Sequence, residues 1–156
     1  MPESLPCVFR ARVEQIIARD PSAADGWRMV TKDGGAVELT VPKLSSDGFD
    51  ITVIADAGEV SVYTEHLAHQ HYVSAGDHAE ACELGLGLLR DLLAPGMRVR
   101  VVEVGGQPCR ASFEVLRRGE WQDEGTTGLF VLSWFRRKTE RLYINRRLAP
   151  RAPNAG

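Results

Sequence analysis

The sequence predicts an α+β fold dominated by antiparallel sheet. Short apolar runs follow one another across Asp33-Gly34-Gly35, Asp56-Ala57-Gly58 and Gly105-Gly106, turn sequences that suit hairpins. Hairpins in succession build antiparallel rather than parallel sheet. One strongly amphipathic segment, at about residues 77–94, separates the earlier hairpins from the later ones. The expected order is α-β-β-β-β-α-β-β-β-β, with about eight strands, a central helix and an N-terminal segment for which helix is favoured. That order also admits a degenerate α-β4 repeat.

The N-terminal segment carries two patterns. Phe9, Val13, Ile16 and Ile17 recur at helical spacing, while Phe9, Ala11 and Val13 alternate with Arg10, Arg12 and Glu14 as a half-buried strand would. Pro21 and Gly26 close the segment. Residues 27–31 and 36–41 then flank Asp33-Gly34-Gly35, where glycine meets the positive φ of a tight turn. Val37, Leu39 and Val41 alternate with Glu38 and Thr40, so one face of that strand is wet. Residues 42–48 read as a loop, and residues 49–55 and 59–64 as a second hairpin.

The central helix begins at a capping box of Asp77 and Glu80 and stops at Pro95-Gly96. Cys82, Leu86, Leu88, Leu89, Leu92 and Leu93 share one broad face, and Gly85 falls within it. A glycine there costs about 1 kcal/mol against alanine, and the expected return is a close approach of helix to sheet. Residues 97–104 and 107–117 form a further hairpin, and residues 118–128 read as a polar loop around Trp121. Residues 129–135 are almost continuously apolar, as in a central strand, and residues 136–139 turn into a last strand at 140–146. One domain over residues 1–148 and a flexible tail at 149–156 complete the reading.

At 156 residues, with 44% apolar and 26% charged residues, the composition is that of an ordinary globular domain. No apolar run approaches the length of a transmembrane helix, and residues 1–8 lack the basic-then-apolar order of a secretory signal. Cys7, Cys82 and Cys109 are odd in number and far apart, which argues against a disulfide framework and for a reducing cytoplasm. The net charge of −2 conceals an asymmetry. Residues 1–97 carry 7 basic and 15 acidic groups, whereas residues 98–156 carry 12 basic and 6 acidic groups.

All four histidines, His66, His69, His71 and His78, lie within 13 residues. Imidazole is the commonest metal ligand, so the set is a candidate site for a divalent transition metal such as zinc. His69 and His71 would share a face on a strand. Their His-x-His spacing lacks the glutamate that a cupin barrel places about four residues on, where Ser74, Ala75 and Gly76 stand. Gly85-Leu86-Gly87 lies inside a helix rather than between a strand and a helix, so it is no dinucleotide fingerprint. No nucleophile has its partners near: Cys82 sits on an apolar face, and Ser133 in an apolar run.

Trp121, Arg136, Arg137, Lys138 and Arg141 are the candidate partner-binding residues, an aromatic anchor and a run of cations near the C-terminus. The leading expectation is a small cytoplasmic binding protein without catalytic activity or cofactor, of the immunity or adaptor type. It would hold a protein partner on a sheet face or edge, and open edges are compatible with a homodimer. A metal-binding protein or metal-dependent enzyme built on the histidines is the alternative. Nucleic-acid binding by the arginine-rich C-terminal hairpin is a second.

Overall fold

The computed structural model describes residues 3–66, 68–128 and 137–145. The elements run α1 (Leu5–Arg19), β1 (Arg28–Thr31), β2 (Val37–Val41), β3 (Ile51–Ala55), β4 (Glu59–Thr64), β5 (His69–Val73), α2 (His78–Leu92), β6 (Met97–Val104), β7 (Gln107–Arg117), β8 (Glu120–Gly128) and β9 (Lys138–Tyr143). Among the described residues, the nine strands form two antiparallel sheets, ordered β1-β2-β3-β4-β5 and β8-β7-β6-β9. No helix among them is long and apolar enough to cross a membrane.

In α1 the helical spacing prevails over the alternating one. Leu5, Phe9 and Val13, four residues apart, are fully buried, and Pro6 occupies the first turn, where its missing N–H costs nothing. In the first sheet Leu39, Val53 and Val62 lie side by side, flanked by rows through Val37, Ala55 and Val60 and through Val41, Ile51 and Thr64. The helices cover this apolar face. Each large side chain fully buried here contributes roughly 1.5–3 kcal/mol.

Helix α2 starts where its capping residue places it: Asp77 accepts a hydrogen bond from the Glu80 backbone N–H at 2.9 Å. Gly85 lies against β4, and a Cβ there would come within 2.5 Å of Val60 Cγ1. The second sheet turns its own apolar face inward. Met97, Val99 and Val101 stand opposite Val115, Phe113 and Ala111 and join the same buried cluster as the helices and the first sheet.

A polar clamp ties the end of β9 to the 42–50 loop. Asn145 is fully buried; its Oδ1 accepts from the Leu44 and Phe49 amides, each at 3.2 Å, and its Nδ2 donates to the Phe49 carbonyl at 3.0 Å. The Ile144 amide donates to the Asp47 carbonyl at 2.9 Å. Gly48 is required beside it, because a Cβ would collide with Asn145 Oδ1.

Three expectations need correction. Residues 118–128 are not a loop: Arg118 and Gly119 both take positive φ, a tight hairpin turn, and β8 follows. Five strands rather than four precede α2, because residues 69–73 form β5, which pairs with β4 along its whole length. The final strand begins at Lys138 and pairs with β6. The apolar run at 129–135 and the tail at 149–156 lie outside the described residues.

Candidate functional site

The turn between β4 and β5 and the pleat of β5 scatter the histidines. His66, at the turn, stacks on Tyr143 of β9 with ring centroids 3.7 Å apart. Burial lowers its pKa, against the raising influence of Glu65 and Glu103. His78, at the start of α2, bonds through Nδ1 to Ser74 Oγ at 2.6 Å. His69 and His71 do come together: they pack edge to face at 5.0 Å, beside Tyr63, on the side of the first sheet opposite the helices.

His71 is braced from behind. Its Nδ1 is 3.0 Å from Glu59 Oε1 and 2.8 Å from Ser61 Oγ, and Ser61 donates to the same carboxylate at 2.7 Å. The hydrogen bonds from Ser61 and His71 lower the Glu59 pKa. A serine that activates its oxygen through histidine leaves the other ring nitrogen for the carboxylate. Here both groups meet the same nitrogen, so the trio orients His71 rather than forming a nucleophilic triad. Among the described residues, no group of three or more His, Cys, Asp or Glu is placed to hold a metal ion.

The second sheet carries the densest polar constellation on its outward face. Strand pairing sets Arg98, Glu114 and Asp123 in one row and Leu142, Arg100, Ser112 and Thr126 in the next. Glu114 is only 5% exposed. Arg98 Nε donates to Glu114 Oε2 at 2.6 Å. Arg100 Nε is buried 2.7 Å from Glu114 Oε1 but without the alignment of a hydrogen bond. Arg100 also reaches Glu140 at 3.6 Å and Asp123 at 3.9 Å. Burial would raise the Asp123 pKa, but hydrogen bonds from Thr126, Ser112 and the Gly125 amide, with the Arg110 charge, bring it down.

Trp121 closes one end of this face. It pairs with Leu116 across the hairpin, and the Arg98 guanidinium lies 4.1 Å over its ring. Leu116 and Leu142 are 43% and 50% exposed. Of the other candidate partner residues, Lys138 stands on the opposite edge strand, across from Val104, and Arg141 faces inward to Glu103 at 3.1 Å. Arg137 precedes β9 and holds the Gly105 amide through its carbonyl. Arg136 lies outside the described residues. Trp121 and the cations therefore form no single patch.

Sequence reasoning missed Arg98, Arg100, Ser112, Glu114 and Asp123. A signal was present: Arg98 and Arg100, like Ser112 and Glu114, recur every second residue between apolar neighbours, the pattern of a polar strand face. Clefts among the described residues also flank α2. One of about 660 Å³ lies between the helix ends beside Trp27, and one of about 490 Å³ lies between α2, β5 and the second sheet. Comparison with protein families, curated proteins and solved structures finds no match to this chain.

Proposed function

We propose that the protein is a non-catalytic binding module that docks a protein partner on the outward face of its second sheet. The observation that carries this is the Trp121 end of that face. There an indole is held under Arg98, and exposed Leu116 lies beside it, next to a network whose charges already satisfy one another. Tryptophan and arginine dominate binding hot spots, and a side chain held before encounter loses little entropy on docking. An immunity- or adaptor-type role in the cytoplasm suits such a module.

The test is affinity capture with chemical cross-linking, comparing the wild type with Leu116→Glu and Trp121→Ala. The expected result is a stoichiometric partner cross-linked near β7 and β8 and lost in both variants. A partner retained by both, or cross-linked only elsewhere, overturns the reading.

A metal contact at His69 and His71 is the rival, favoured by the Glu59 brace, which leaves Nε2 of His71 as the nitrogen for a ligand. Stoichiometric zinc in untagged protein, lost in His71→Ala, would support it. The nucleic-acid reading draws less from the described residues. Arg98, Arg100, Arg110, Arg117 and Arg141 all have carboxylate partners, which leaves less positive charge for phosphates.

A further inference from the structure

Gly87 has no structural reason to be glycine. It sits inside α2, takes no positive φ, and a Cβ built on it would meet nothing within 4 Å. Glycine is among the least favourable residues at such a position. Gly85, two residues earlier and more than half a turn around the helix, is explained by Val60; Gly87 instead lines the cleft of about 490 Å³ between α2, β5 and the second sheet. Leu84 and Asp91, three and four residues from it, fall on the same side of the helix, and Leu88 lines the cleft with them.

The cleft has a mixed lining, with Gln70 among Leu84, Leu88, Met97 and Val115, and three carboxylates, Glu83, Asp91 and Glu124. Leu84 is 49% exposed, and Tyr72 and Met97 close the far side. Its charged residues are Glu83, Asp91, Arg117 and Glu124. Arg117 pairs with Glu124, and Glu83 lies 3.6 Å from Arg12. Asp91 has no such partner among the described residues. Its charge is felt at Tyr72, whose pKa is raised first by burial and then by that carboxylate.

We propose that this cleft takes the lysine or arginine side chain of a protein partner, with the stem over Gly87 and the cation at Asp91 and Tyr72. These side chains combine an apolar methylene stem with a charged head, which matches Leu84 and Leu88 followed by an unpaired carboxylate and an aromatic ring. A side chain at Gly87 would occupy the path of the stem. The cleft is on the inward side of the second sheet, so the proposal stands apart from docking at Trp121.

The test is an amide-shift titration of the whole protein with acetyl-Leu-Lys-Leu-amide and with the same peptide carrying norleucine for lysine. The lysine peptide should shift the amides of Tyr72 and residues 84–91, and at least tenfold more weakly in Asp91→Asn and Gly87→Leu. Gly87→Ala, which has open space for its methyl, provides a folded check and should also weaken binding. Equal binding of the norleucine peptide, unchanged binding in Asp91→Asn, or shifts elsewhere would overturn the proposal. Butylamine binding as tightly as the peptide, with the same shifts, would overturn the protein source and point to a free amine.

Discussion

The ring of His66 stacks on Tyr143 at 3.7 Å and loses water on that side. Burial therefore holds its pKa below the ordinary value of about 6.5. As pH falls through that ordinary value, the unfolded chain takes up the proton before the folded one does, so stability declines. Stability from this contact is full above about pH 6.5 and is lost progressively towards the lower folded value. The urea midpoint should drop between pH 7.5 and 5.5, and His66→Phe, which keeps a ring against Tyr143, should flatten that drop. An identical drop in the variant would remove His66 as its source. The clustering of the histidines was evident from their positions in the chain. That His66 stands apart was not, because its place depends on β9 returning beside the β4–β5 turn.

Helix α2 holds two glycines that chemistry treats alike and packing does not. At Gly85 a methyl group would press on Val60, a β-branched side chain close to its own backbone and slow to yield. Overpacking of that kind costs about 1–3 kcal/mol, against roughly 1 kcal/mol gained from helix propensity. At Gly87 only the gain applies. Gly85→Ala should therefore be no better than neutral and up to about 2 kcal/mol less stable, while Gly87→Ala should be up to about 1 kcal/mol more stable. Urea denaturation of the two variants checks this, and the reverse order would contradict the packing. The α2 boundaries and the close approach at Gly85 could be read from Asp77, Pro95 and the apolar face. Strands β5 and β8 could not be recognised so readily. Both are edge strands with few apolar residues, and β8 pairs its outward residues as Asp123 with Arg110 and Thr126 with Ser112 rather than burying them.

The two apolar sheet faces meet in one core with the helices, so the polar faces of both sheets point away from it. That arrangement recasts the charge asymmetry along the chain. The arginines of β6, β7 and β9 spend their charge on Glu103, Glu114, Asp123, Glu124 and Glu140 from the same sheet. The sequence shows the excess of arginine, but strand register decides which carboxylates stand opposite. Wild-type protein should consequently leave a heparin column at low salt. Glu114→Gln combined with Asp123→Asn releases Arg98 and Arg110, leaves Arg100 with Glu140 alone, and should elute at distinctly higher salt. Glu14→Gln with Asp25→Asn changes the net charge equally, in α1 and the segment before β1, and should shift elution far less. If the two double variants move alike, the arginines are not held by their neighbours, and a phosphate-binding face regains its standing.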